Sequence, residues 1–130
     1  ELADCLGALA QPLLLLPDHE KLAAAVQAVL EAGAYDPQGG ATAYNLFADG
    51  AADSEGLSLA FAALCQQLGL PCQVAQGTLE DEPRFWVLVQ TEEGWRHLDL
   101  AAEESGPLHT DLQFQELGYV WNDSTLPACV

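Results

Sequence analysis

Ser54 opens an apolar helix in the stretch DGAADSEGLSLAFAALCQQLGLPCQ, residues 49–73. A helix N-terminus carries unpaired backbone N–H groups and a partial positive charge. Such a place lowers the pKa of a thiol and stabilises an oxyanion, so a nucleophile there is well positioned. The nucleophile needs a base, and the base needs a group that orients it. Downstream the chain offers Arg84 in RFWVLVQT (84–91), then His97 and Asp99 in GWRHLDL (94–100). The order is helix start, strand, carboxylate at a strand end. A second reading of Ser54 stays open, because serine is also an ordinary helix N-cap.

The elements that must hold these residues are legible in the pattern. After Asp53, residues Leu57, Ala60, Phe61, Leu64, Cys65 and Leu68 mark one helical stripe, with Gly69 and Pro71 as stop signals. Before it, Asp18 precedes HEKLAAAVQAVLEAG, an amphipathic helix with Asp18 as N-cap and Gly33 as its end. AYDPQGG (34–40) reads as a loop, and ATAYNLFADG (41–50) as a short helix closing at Gly50. Leu13–Leu16, between Pro12 and Pro17, reads as an extended buried segment or packing strand. The period then changes. CQVAQGTL (72–79), RFWVLVQT and GWRHLDL predict three strands in an antiparallel meander, with TEEG (91–94) as a hairpin turn. A last helix is expected over 111–117, capped by Thr110 and closed by Gly118, followed by YVWNDSTLPACV as an irregular wrap. Helices first and strands after them give an α+β fold in one domain, 1–130.

Composition removes whole classes of function. Twenty acidic residues face three basic ones, Lys21, Arg84 and Arg96, for a net charge of −17. No basic patch exists for nucleic acid or anionic lipid. No apolar run approaches the ~18 residues of a membrane helix. The acids are scattered without a D-x-[DN]-x-[DN]-G loop, which favours solubility over a calcium site. Neither a metal nor a cofactor is expected. Cys5, Cys65, Cys72 and Cys129 form no C-x-x-C pair. Cys5 and Cys129 are candidates to staple the termini, while Cys65 and Cys72 read equally well as small buried hydrophobes. The chain starts at Glu1 and has no Met, as expected of a processed or truncated product with more chain upstream. A removed export signal would place it outside the cell or in the envelope.

Three fragments carry a resemblance: AYNLFADGAADSEGLSLAFAALCQQLGLPCQVAQG, RFWVLV and GWRHLDL. From about Tyr35 to Glu104 the chain resembles the transglutaminase-like (papain-like cysteine) superfamily in its bacterial form. The tail LGYVWNDSTLPAC is similar to tails of some of these proteins. The resemblance implies helices packed on an antiparallel meander and a Cys-His-Asp triad. The family's C-x-G-[YF]-[AS] stands here as Ser54-Glu55-Gly56-Leu57-Ser58, its His-Ala-Trp as Arg84-Phe85-Trp86, and its Trp-x-x-x-Asp as Trp95 through Asp99.

Two of the three implied catalytic positions depart from the pattern. A serine hydroxyl needs a base near neutral pH. A guanidinium, with a pKa above ~12, cannot serve as one. Removing a triad member typically costs ~10^4 in rate. No catalysis is therefore expected from Ser54, Arg84 and Asp99. An Arg84–Asp99 ion pair, two N–H bonds to one carboxylate, is the expected replacement, with an exposed strand-edge Arg84 as the alternative. The rival is a serine-dependent hydrolase or acyltransferase using Ser54, His97 and Asp99. His97 lies two residues before Asp99 and shares its strand face, although the family tolerates a structural His there. His19 and His109 read as solvated. Trp86 and Trp95 read as core aromatics or, with Glu55, as ligand contacts in the ancestral groove. The candidate partners are a peptide, another protein or cell-wall material.

Overall fold

Helix formation begins earlier than the pattern predicts. In the computed structural model, which describes residues 2–102, 108–122 and 126–130, α1 spans Leu2–Leu13. Leu6 and Ala10, one helical turn apart, are buried on its inner face. Pro12 sits in the last turn, one residue before the helix ends at Leu13, so the N–H it lacks removes a single bond from the end of the ladder. The helix therefore runs through the first leucine of Leu13–Leu16. Leu14 and Leu15 are 49% and 88% exposed, which corrects the expectation of a buried extended segment.

α2 (Asp18–Ala32) buries Ala25 and Val29. Asp18 is its first residue and Pro17 takes the N-cap position with no side-chain cap bond, so Asp18 is not the cap. Asp18 instead meets Lys21 Nζ at 3.1 Å. AYDPQGG is a strand and not a loop: β1 (Ala34–Gly40) pairs in parallel with β2 (Ala51–Ala52). Ala34 N donates to Gly50 O and Asp53 N to Gly40 O, each at 3.0 Å. Between them α3 (Ala43–Asp49) is closed by a Thr42/Asn45 capping box and a left-handed Gly50.

α4 (Ser54–Leu68) is the central helix, with Leu57, Phe61, Leu64 and Cys65 completely buried. Its cap is Asp53, whose Oδ1 accepts from Gly56 N at 3.0 Å. Gly69 ends it in the left-handed region at φ 75°.

β3 (Cys72–Leu79), β4 (Glu82–Thr91) and β5 (Gly94–Leu98) form the expected antiparallel meander. The β3–β4 turn, Glu80-Asp81, has φ of 52° and 71°, the primed geometry that matches strand twist. After α5 (Asp111–Glu116), capped by Thr110 as expected, the chain adds β6 (Tyr119–Trp121) to β3. The sheet order is β5-β4-β3-β6. The tail thus begins as a strand rather than a wrap, and its residues 123–125 lie outside the described set.

Alternation along β4 builds two cores. Val87 and Val89 face α4 and the other helices. Trp86 and Leu88 face Phe114 and Tyr119. Gly77, opposite Arg84, permits this second layer to close. A Cβ there would stand 2.1 Å from Val120 O and 2.7 Å from the Trp86 indole.

Cys5 belongs to α1 on the first side, whereas Cys129 packs in the second core. All four cysteines are free thiols, so the terminal staple is not formed. No described helix is long and apolar enough to cross a membrane.

Candidate functional site

The start of α4 is pressed against the β1–α3 corner. A Cβ on Gly56 would stand 2.7 Å from Ala52 Cβ and 2.8 Å from Gly40 O. Only glycine allows the helix N-terminus this close. Ser54, two residues earlier, is 8% exposed. Its Oγ accepts a hydrogen bond from Phe85 N at 3.0 Å. β5 pairs with β4 only from Val87 onward, so the Phe85 N–H on that edge finds the serine instead of a strand. Ser54 therefore ties the helix to the sheet, and the capping role falls to Asp53.

Arg84 and Asp99 form the expected ion pair. Arg84 Nε donates to Asp99 Oδ2 at 2.9 Å, with the side chains 13% and 3% exposed. The two-pronged geometry is not what forms. Tyr119 OH donates to the same Oδ2 at 2.5 Å, and Ala101 N to Oδ1 at 2.9 Å. Tyr119 thus takes the place on Oδ2 beside Nε, and Oδ1 is held by the backbone. The outer side of the guanidinium reaches Tyr35 OH at 3.5 Å, with Cζ 5.2 Å from the ring centroid, within cation–π range. Burial, then the Asp99 carboxylate, pushes the Tyr119 phenol well above its usual range, so Tyr119 remains a donor.

His97 is fully buried and bonded away from Ser54. Trp86 Nε1 donates to His97 Nδ1 at 3.0 Å, and His97 Nε2 meets Asp111 Oδ1 at 2.6 Å. An indole only donates, so Nδ1 accepts and Nε2 carries the proton. The ring stacks on Phe114 at 4.6 Å. Burial lowers the His97 pKa, and the Asp111 hydrogen bond and charge oppose that shift only in part. His97 and Asp99 follow the same strand alternation, yet each bonds to other groups.

Asp111 continues the chain of contacts. Its Oδ2 accepts from Cys129 N at 3.2 Å, and its own N donates to Cys129 O at 2.7 Å. His97, Asp111 and Cys129 bring one ligand-type atom each within 4.8 Å of one another. The donor set is of a kind that zinc uses. However, a histidine that ligates through Nε2 carries its proton on Nδ1, where the Trp86 N–H already points. Burial, then Asp111, pushes the Cys129 thiol up to about 12, away from the thiolate a metal requires. The cluster is built as a hydrogen-bonded clamp and not as a metal site.

A groove of about 730 Å³ opens beside Ser54, walled by Tyr35, Phe85, Arg84, Asp53 and Glu82. Trp86 is completely buried and is core, not groove. Trp95 is half-buried against the second core, and Glu55 is half-buried on the first turn of α4. The aromatic wall comes from Tyr35 and Phe85 instead. Tyr35 and Tyr119 escape the sequence reading because one lies in a Pro/Gly-rich run and the other in a three-residue strand. His19 is exposed beside Glu20, as expected. His109 is partly buried, with its ring 5.7 Å from Phe114, and exchanges two backbone hydrogen bonds with His97, at 2.8 and 3.0 Å, so it is solvated only in part.

Residues 8–100 match the family model Transglut_core, the transglutaminase-like superfamily, and the chain belongs to that superfamily. No curated protein matches it. Among solved structures it is similar to a TGase, at 19% identity and TM-score 0.67, over 91% of this chain and 37% of that one. It is also similar to a putative cysteine protease from Cytophaga hutchinsonii, at 14% identity and TM-score 0.64, over 92% of this chain and 41% of that one. A third is the periplasmic domain of TgpA from Pseudomonas aeruginosa bound to ethylmercury, at 21% identity and TM-score 0.58, over 76% and 44%. At these identities the likeness concerns the fold, which is the expected α+β one. The chain spans less than half the length of each of these structures.

Proposed function

We propose that this transglutaminase-like domain is catalytically inactive and acts as a binding module, with an extended peptide segment as the ligand of its groove. The observation that carries the reading is the Arg84–Asp99 ion pair. By the family resemblance, an imidazole oriented by Asp99 would stand where Arg84 stands. A permanently charged guanidinium there accepts no proton. Ser54 Oγ serves as acceptor for Phe85 N–H, a structural use of the hydroxyl.

The serine-hydrolase alternative finds less support. His97 spends both nitrogens on Trp86 and Asp111, and Asp99 accepts from Arg84, Tyr119 and Ala101. Neither is available to activate Ser54 without dismantling the second core.

The groove supports a binding role through its size and walls. Its volume of about 730 Å³ falls in the range of ligand clefts, and Tyr35 and Phe85 add aromatic surface. An exported location fits this reading, since a periplasmic domain is among the similar structures.

The test pairs two measurements on the unaltered protein. Peptide esters and amides are incubated with it, and an immobilised peptide library is screened for binding. The reading expects no Ser54-dependent turnover, together with captured peptides whose binding is lost on Tyr35→Ala. Turnover abolished by Ser54→Ala contradicts the inactivity. A library without any Tyr35-dependent binder contradicts the binding role.

A further inference from the structure

We propose that the groove beside Ser54 selects peptides by a cationic side chain, an arginine or lysine held by carboxylates of the wall rather than by strand addition. The selection rests on the binding role given to the groove above and names the class of peptide it takes. The wall is acidic. Asp53, Glu80 and Glu82 line it, and its one cation is Arg84. Asp99 neutralises Arg84 through the 2.9 Å ion pair. The other two basic residues of the chain are engaged elsewhere: Lys21 pairs with Asp18 at 3.1 Å, and Arg96 Nη1 donates to Trp95 O at 2.7 Å. The chain therefore has no further lysine or arginine with which to balance the three carboxylates. The N-terminus of α4 favours an anion, but Asp53 Oδ1 already takes Gly56 N–H at 3.0 Å, and Glu55 stands in the same turn.

The strand edge on the groove agrees with the charge. β5 pairs with β4 only from Val87 onward, so the first half of β4 keeps an open edge on that side. Phe85 N–H points to this edge and is taken by Ser54 Oγ at 3.0 Å. Pro83, the next residue in the same alternation, has no N–H. The edge at Pro83 and Phe85 thus presents carbonyl oxygens with no N–H to spare. Acceptors of this kind suit a guanidinium or an ammonium, which only donate. An added strand needs donors and acceptors together, so the edge does not suit it. Tyr35 supplies aromatic surface beside the acids. Its ring centroid lies 5.2 Å from Arg84 Cζ, and the residue is still 37% exposed, which leaves ring area for the stem or plane of a second cationic side chain.

The test uses the unaltered chain and an immobilised peptide library in which every sequence occurs with arginine, glutamine and glutamate at its central position. At low salt the arginine members should be retained most. Glu80→Gln/Glu82→Gln should weaken their binding about fivefold, and raised salt should act in the same direction. Both side chains are exposed, so the fold tolerates the change. Glu92→Gln/Glu93→Gln removes the same charge from the β4–β5 turn, at the far end of β4, and should leave binding within about twofold. Equal losses in the two variants would reflect only the field of an acidic chain and would overturn the proposal. Tyr35-dependent binders without a preference for arginine also overturn it, while leaving the binding role of the groove in place. A library without Tyr35-dependent binders removes both.

Discussion

Arg84 and Asp99, fifteen positions apart in the chain, meet through a 2.9 Å hydrogen bond that is nearly closed to solvent. Between them they join β4, the end of β5 and, through Tyr119, β6. Removing one partner of such a pair strands the other charge. Arg84→Ala should therefore destabilise the fold by about 2–4 kcal/mol, less than a fully isolated pair because Tyr119 and Ala101 remain on the carboxylate. Urea unfolding of the single variants and of Arg84→Ala/Asp99→Ala checks this. The double variant should be less destabilised than the sum of the singles.

His97 gives the molecule a sign-defined pH response. Its folded pKa is lowered, so the unfolded chain takes up a proton near ~6.5 while the folded chain still resists it. The stability contributed by neutral His97 is complete above ~6.5. It is lost as pH falls from there through the folded pKa, at up to about 1.4 kcal/mol per pH unit. Asp111 and His109 face the ring and act in opposite directions on it. Urea midpoints measured from pH 7.5 downward should show this slope, and His97→Gln should flatten it.

Gly77 is a steric prediction. An added methyl collides with Val120 O and the Trp86 indole at once, and backbone cannot yield as a side-chain tip does. Gly77→Ala should cost about 1–3 kcal/mol. It should also loosen β6 and α5 first, a change that hydrogen exchange of Tyr119–Trp121 would register.

α4 was legible because the Leu57–Leu68 stripe and the Gly69 stop mark the same helix, although its cap is Asp53 and not Ser54. The ion pair was legible through Arg84 itself, one of only three basic residues in an acidic chain. α1 was not, since two prolines around four leucines look like an extended run, while its helix depends on burying Leu6 and Ala10 against distant elements. β1 was hidden for a different reason. Its strand character comes from backbone pairing with Ala51 and Ala52, and an Asp-Pro-Gly-Gly composition carries no trace of that. The Trp86–His97–Asp111 clamp joins residues from three elements, so no local pattern announces it.

Restoring the family's residues tests whether the scaffold is intact. In Ser54→Cys/Arg84→His the new thiol sits at a helix N-terminus, and the imidazole has Asp99 to orient it. Its alkylation rate should plateau well below the ordinary thiol pKa of ~8.5, as a thiolate–imidazolium pair does. Iodoacetamide kinetics across pH 4–9 would record the profile, and an ordinary thiol titration would show that the groove no longer supports the pair.

The most direct test of the central claim is the reactivity of the Ser54 hydroxyl in the unaltered protein. Incubation with a fluorophosphonate, followed by intact mass and peptide mapping, should leave Ser54 unmodified, because no group beside it takes its proton. A covalent adduct on Ser54 that forms on the folded protein, and not on protein denatured before incubation, would contradict the account and would show that a base acts on the hydroxyl despite the Arg84–Asp99 pair.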